Sequence, residues 1–444
     1  WYYIDKNIFI LSSVPAIIRK YLKLKNSLEL NKSGLEDYLL RRHFISPVDH
    51  PIKGIKQILP GERLNFSSFN WELTFDNFIK ESDYFSTYIY KKLLSSDQYY
   101  YNNKFKEILE RTLSIMENNT PCDKVSSSII SGGLDSSIVS FILNKFNEEI
   151  KLFTMTFKNK DMVAKNTPKL INKLTNKYKI QHSLIECTME DYLTSLKESI
   201  DILSSPITTH SIPSSYLVAK EAKKSGSVVL YGGEGADEIF LGYECYTNSQ
   251  FKDSDYNRIY NFFHKNHDLR KRVIDGLTQH YIIKKKKELE EFLSPIIKDN
   301  SPEKLIKIES FIDTFIQLSN VGLISTDTIN SNLGIECRTP FTRKDLLTFG
   351  LSTPLSYLNN IKPPITSKIP IRNAFINYFG RELLMPKIGF AGFPNETKSE
   401  LGKINKWIVW DYFGWAKDDF NEYNINEKWK LINIEWFLRI CFES

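Results

Sequence analysis

Five cysteines in 444 residues, Cys122, Cys187, Cys245, Cys337 and Cys441, form neither a CxxC pair nor an even set. That speaks against a disulfide framework and against a thiolate zinc site. The seven histidines show no metal-ligand spacing either. No apolar run approaches the ~18 residues needed to cross a bilayer and no leader pattern is visible, so a cytoplasmic protein is expected. Internal repeats and low-complexity tracts are missing. Nor is one charge in surplus: 59 Lys and Arg against 53 Asp and Glu leave a net charge of +6. The one dense basic run, 284–287, is followed by Glu288, Glu290 and Glu291 and reads as a solvated helix face. Neither nucleic acid nor membrane is expected as a partner.

What is present is an apolar content of 41%, enough for sizeable cores, in a chain long enough for two domains. Its most informative stretch is Ser131-Gly132-Gly133-Leu134-Asp135-Ser136-Ser137. A short strand-like run at 125–130 precedes it, and Ile138, Val139, Ile142, Leu143 and Phe146 follow at helical spacing. The glycines therefore occupy a strand-to-helix turn, where the backbone can approach an oxygen-rich ligand closely. The helix start adds N–H donors and partial positive charge, and the serines add hydroxyls, so an anion should rest there. The spacing and the Gly-Lys-Ser/Thr ending of the common nucleotide-triphosphate loop are missing, and Asp135 stands where that lysine would be. A carboxylate beside phosphate calls for a cation between them, which points to Mg²⁺. The plain alternative is a turn whose Asp and Ser cap the next helix.

A second segment repeats the pattern. The strand candidate Ser227-Val228-Val229-Leu230-Tyr231 runs into Gly232-Gly233-Glu234-Gly235-Ala236-Asp237-Glu238. In a parallel α/β sheet such turns gather at the carboxyl ends of the strands, so Asp135 and Asp237 can meet at one metal ion, with Glu234 near them. Lys387, in Met385-Pro386-Lys387-Ile388-Gly389-Phe390, is a further candidate that spacing alone would not select.

These segments, with Gly242-Tyr243, Glu336-Cys337-Arg338-Thr339-Pro340-Phe341 and the closing run Trp429-Lys430-Leu431-Ile432-Asn433-Ile434-Glu435-Trp436-Phe437, resemble the asparagine synthetase family in their order along nearly the whole chain. That family comprises ATP-dependent amide-forming enzymes and includes β-lactam synthetase and the lasso-peptide cyclases. The resemblance implies an α/β fold with a parallel-sheet ATP-pyrophosphatase (adenine nucleotide α-hydrolase-like) synthetase domain and a mainly helical C-terminal part. It also implies ATP and Mg²⁺ as cofactors. Ser131, Gly132, Gly133, Asp135, Ser136 and Ser137 would hold the triphosphate, Asp135 and Asp237 would bind the metal, and main chain at Ile130, Met155, Gly232 and Gly233 would hold the adenosine. Glu234 matches the family residue that manages the proton of the incoming amine, and Lys387 the lysine that stabilises charge in both chemical steps. The substrates implied are a small-molecule or peptide carboxylate and ammonia, glutamine or an internal amine. Oligomeric state stays open, a homodimer included.

The front of the chain, through Tyr2-Tyr3-Ile4, Ile8-Phe9-Ile10-Leu11 and Gly54-Ile55-Lys56-Gln57-Ile58-Leu59-Pro60-Gly61, resembles the last part of the family's N-terminal glutaminase domain. The expected division is a partial β-rich glutaminase-like (Ntn-type) domain over 1–80, a linker over 81–102, and the synthetase domain over 103–444. The chain opens on Trp1 in what reads as mid-domain, so a fragment or processed product is expected, and Cys122 lies too late to be the glutaminase nucleophile. Two departures affect the substrate reading: the usual Pro-Phe-Leu-Asp is Pro340-Phe341-Thr342-Arg343, and a basic position after Asp327 is Thr328. Arg338 is expected to be structural. The reading expected first is aspartate-to-asparagine chemistry. The alternatives are a specialised amide former of the same family (a peptide macrocyclase, a β-lactam synthetase-like enzyme or a sugar-acid amidotransferase) and a catalytically idle scaffold.

Overall fold

The computed structural model describes residues 1–41, 46–121, 123–157, 171–172, 175–176, 178–247, 267–360, 366–381, 384, 407–413 and 423–443. The first eighty residues, expected to be strand-rich, carry two helices beside two short antiparallel pairs, β1 (Tyr2–Ile4) with β2 (Phe9–Leu11) and β3 (Glu62–Ser67) with β4 (Glu72–Asn77). Helix α1 (Pro15–Leu24) starts on a proline whose missing N–H costs nothing in the first turn, and it buries Ile18 and Leu22 one turn apart. Helix α2 (Lys32–Leu40) buries Leu35 and Leu39 in the same way. Both pack into one apolar cluster with Leu196, Ile200, Trp429 and Phe437, so the front of the chain and its C-terminal helix share a core. Lys430 lies in this core and donates to the carbonyls of Tyr38, Leu39 and Arg41, satisfying acceptors that the end of α2 would otherwise leave orphaned.

The stretch expected to be a linker is helical. Helix α3 (Thr87–Leu94) and the start of α4 (Gln98–Asn118) place Phe85, Tyr90, Leu93 and Tyr101 in the largest core cluster. The tyrosine- and serine-rich composition concealed an amphipathic stripe, with Tyr99 and Tyr100 exposed and Tyr101 buried.

The centre is a five-stranded parallel sheet in the order β7-β6-β5-β8-β9, formed by β5 (Val125–Ile129), β6 (Lys151–Phe157), β7 (His182–Cys187), β8 (Ser227–Tyr231) and β9 (Glu336–Arg338). The strands expected near 125, 151, 182 and 228 are all present. Successive strands step outward from β5 to β6 and β7, and the order then reverses to β8, so the switch point lies between β5 and β8. β5 is mostly serine: Ser126, Ser127 and Ser128 are buried, Ser127 Oγ hydrogen-bonds Ser227 Oγ, and Ser128 Oγ bonds Ser140 Oγ at 2.9 Å. These small side chains let α5 (Leu134–Leu143), which carries Ser140, lie close over the sheet.

Helices α6 (Met189–Leu203) and α7 (Ser211–Lys224) pack against each other between β7 and β8. Beyond β8 the described chain is mainly helical. It includes an unusual π-helical run, Asp313–Leu323, and the later helices α8 (Ile369–Phe379) and α9 (Ile425–Leu438). No described helix is long and apolar enough to cross a membrane.

Candidate active site

The two glycine-bearing turns lie side by side at the carboxyl ends of β5 and β8. A Cβ on Gly233 would fall 2.9 Å from the Ser136 backbone nitrogen and 3.0 Å from Asp135 Cβ, so only glycine lets the second turn touch the first. Gly132 takes φ +80°, a conformation that favours glycine, and turns the chain into α5. The loop holds itself: Ser131 N–H donates to Ser136 Oγ at 3.1 Å, and Gly133 N–H donates to Ser131 Oγ at 3.3 Å. The first N–H groups of α5 have no acceptor inside the helix and sit at its positive end. A cavity of about 350 Å³ opens over this junction. Its wall includes Ser131, Gly133, Asp135, Ser136, Gly232, Gly233, Glu234 and Asp237, together with Gln317, Leu318, Val321 and Gly322 of the π-helical run. Such runs are rare and recur at functional sites.

Asp135 and Asp237 meet on one side chain that sequence reasoning missed. Lys368 Nζ lies 2.5 Å from Asp135 Oδ2 and 3.0 Å from Asp237 Oδ1, so those two oxygens are no farther apart than the two contacts combined. The lysine side chain is 6% exposed. Burial lowers its pKa, but Asp135 and then Asp237 push harder, and the net shift is upward. Lys368 precedes α8 at φ +53°, and Pro370 opens that helix. Gly242 completes the nest: a Cβ there would fall 2.0 Å from both Asp237 Oδ1 and Lys368 Cε.

This arrangement suits Mg²⁺ bound together with phosphate. Among the described residues no group of three or more His, Cys, Asp or Glu side chains could hold a metal alone. Mg²⁺ needs only one or two carboxylates when phosphate oxygens and water fill the remaining positions, and two carboxylates already converge on a cation here.

Glu234 separates this cavity from a second one of about 400 Å³, whose wall includes Gln57, Ile58, Leu59, Pro60, Asn320, Thr326, Asp327 and Cys337. Its Oε2 is buried without a hydrogen-bond partner, lying over Gly232, where a Cβ would be 1.9 Å away. Burial raises the Glu234 pKa, its own backbone N–H partly opposes this, and the charge of Asp135 adds to the rise. Such a carboxylate is poised to accept a proton.

The asparagine synthase family model matches residues 108–414. The chain belongs to the asparagine synthase family. Among curated relatives, asparagine synthetase [glutamine-hydrolyzing] 1 of Bacillus subtilis is 25% identical over 226 residues, which cover 50% of this chain and 32% of that protein. Putative asparagine synthetase [glutamine-hydrolyzing] 2 of Methanocaldococcus jannaschii is 27% identical over 256 residues, 57% of this chain and 46% of that one. The match thus spans about a third to a half of these relatives' length. Among solved structures, an NH3-dependent NAD synthetase from Campylobacter jejuni overlays 49% of this chain and 94% of its own, at 16% identity and a TM-score of 0.25. That likeness is too slight to bear on the site.

Not every residue that the family pattern nominates lines the cavity. Ile130 and Met155 are buried beside it. The Ile130 N–H donates to the Phe153 carbonyl at 2.9 Å, and its own carbonyl accepts from Thr154 Oγ1 at 2.6 Å, so both its main-chain groups already have partners. Gly132 and Ser137 shape the turn without joining the wall. Lys387, with 385–390, lies outside the described residues, as does Cys122. Arg338 is buried away from the cavity and ties β9 to the end of α4, donating to the Met116 carbonyl, to Thr120 Oγ1 at 2.7 Å and to Tyr231 Oη at 3.2 Å. Arg343, which replaces the family's Asp, is exposed and precedes helix Lys344–Leu351 without any side-chain capping bond.

Proposed function

We propose that this protein uses ATP to adenylate a carboxylate and then joins the activated acyl group to an amine, with release of pyrophosphate and AMP. The observation that carries the reading is the meeting of Asp135 and Asp237 on Lys368 where two glycine turns touch. In this scheme the triphosphate lies along the turn 131–137 and the start of α5. Asp135 and Asp237 hold Mg²⁺, which when bound offsets the charge of the phosphate oxygens. Lys368 serves the same end from a fixed position and joins Lys387 as a charge-stabilising lysine. A carboxylate oxygen attacks the α-phosphorus and pyrophosphate departs. The amine then adds to the acyl carbon, its proton passes to Glu234, and AMP leaves as the amide forms.

Glu234 lines both cavities, which supports separate approaches for amine and nucleotide. Residues 57–60 line it, consistent with a glutaminase-like origin for the front of the chain. Aspartate remains the first acid to try. Thr328 at the usual basic position, buried at 4% exposure, favours acids other than aspartate within the same chemistry. The test is ATP-dependent pyrophosphate release across a panel of acids with ammonia or glutamine as nitrogen donor. Release that depends on one acid supports the reading, and none with any acid overturns it. Aspartate failing with both donors, while another acid succeeds, rejects asparagine synthesis alone.

A further inference from the structure

Arg372 is a second cation on the wall of the first cavity, and no carboxylate of the described residues forms an ion pair with it. It lies four residues after Lys368, its backbone N–H donating to the Lys368 carbonyl at 2.9 Å, and both side chains line the cavity. The guanidinium is half-buried. Among the described residues its side chain makes one hydrogen bond, from Nε to the Ser367 carbonyl at 3.5 Å, the outer limit of such a bond. Burial lowers its pKa and the nearby charge of Asp135 raises it, yet Arg372 forms no ion pair with Asp135. A half-buried guanidinium with a single marginal hydrogen bond to the described protein keeps donors available for an anion in the cavity. Its planar fork matches two phosphate oxygens at once, which the ammonium of Lys368 does not.

Position decides which anion. Arg372 stands with Lys368, Asp135 and Gly242 at the end of the cavity formed by the glycine turns. Among the described lining residues the only cations are Lys368 and Arg372. Asp135 and Asp237 together carry one more charge than Lys368 offsets, and the charge of Asp135 also reaches Arg372. The aspartates are then available to Mg²⁺ and the two cations to phosphate. We propose that Arg372 grips the pyrophosphate end of ATP and keeps hold of pyrophosphate as the leaving group, a role that rests on the adenylation reading above.

The experiment is calorimetric titration of pyrophosphate with Mg²⁺ into the wild-type protein, Arg372→Gln and Arg372→Lys, with adenosine titrated in parallel. Loss of a charge-assisted bidentate contact should weaken pyrophosphate binding by about 10–100-fold in Arg372→Gln. Arg372→Lys should recover part of this, and adenosine should bind all three alike. Unchanged pyrophosphate affinity in Arg372→Gln overturns the assignment, and so does an equal loss of adenosine and pyrophosphate, which marks a structural role. A wild-type protein that releases pyrophosphate in the acid screen while Arg372→Gln keeps full affinity removes Arg372 alone. A wild-type protein that binds neither ATP nor pyrophosphate removes the adenylation reading and this role with it.

Discussion

Lys368→Met tests the centre of the argument. Methionine keeps an unbranched stem and is no worse than lysine at the positive φ of this position, so the substitution removes charge and little else. Asp135 and Asp237 are then left facing each other in a partly buried nest, where their side chains are 20% and 23% exposed. Breaking a buried ion pair by removing one partner costs about 3–5 kcal/mol, and the residual exposure of the aspartates places this case toward the lower figure. For a chain of this length that is a fall of roughly 3–4 °C in the unfolding midpoint near neutral pH. The discriminating measurement is the same thermal scan with millimolar MgCl2. A divalent cation that lodges between the two carboxylates replaces the missing ammonium, so Mg²⁺ should raise the midpoint of Lys368→Met clearly more than that of the wild type. An equal effect of Mg²⁺ on both proteins would mean that the carboxylates do not form a common cation site, and the metal assignment would fall.

Glu234→Gln should leave ATP binding nearly unchanged and slow amide formation on the order of a hundredfold, read by single-turnover assay. Loss of nucleotide binding instead would show that Glu234 works on the phosphate side. Arg343→Asp should stabilise the protein by about 0.5–2 kcal/mol, because Arg343 occupies a helix N-cap that it does not cap and puts positive charge at the positive end of the dipole. An unchanged or lower midpoint would refute that. Lys307 is fully buried, donates to the Leu351 carbonyl at 2.8 Å, and has its pKa lowered to about 7 by burial against a raising contribution from Glu303. A lysine depressed in the folded state binds fewer protons there than in the unfolded chain between the two pKa values, so its contribution to stability grows as pH rises from about 7 toward the unfolded value near 10.5. The wild type should therefore gain stability relative to Lys307→Met across that window, and parallel pH profiles would reject the assignment.

Both glycine turns were legible because each combines two local signals, a short apolar strand and a run that only a tight turn tolerates, and the parallel sheet does the rest by aligning their ends. Lys368 was not legible in the same sense. It is one of 59 basic residues, and its partners lie far off in sequence. One signal was available: Pro370 marks a helix start, which puts a lysine where a helix prefers an anion or a small capping side chain, and such a misfit asks for an external partner. The front of the chain was read as strands because its motifs are strand-like, while α1 and α2 announce themselves only by apolar residues one turn apart that meet Trp429 and Phe437 at the other end of the chain.

Residue 343 and residues 368 to 372 bear on different properties of this chain. Arg343 is exposed at the N-cap of helix 344–351 and lines neither cavity, so a substitution there falls first on the stability of that helix. Lys368 and Arg372 both line the cavity beside the glycine turns, and on the adenylation reading a change at either should alter how triphosphate and metal share the pocket. The acid to be activated must then be chosen by the remaining wall, the hydroxyls of Thr209, Ser211 and Ser215 and the π-helical side chains Gln317, Leu318 and Val321. Those residues offer hydrogen bonds and apolar contact, and the other charged groups of the described lining, Glu234 and Glu238, are acidic rather than basic. A substrate that carries a second carboxylate would have to pay for its desolvation there unaided, so acids whose body is neutral should outcompete aspartate in the pyrophosphate-release screen, and a clear preference for aspartate would show that a cation from outside the described residues reaches this wall.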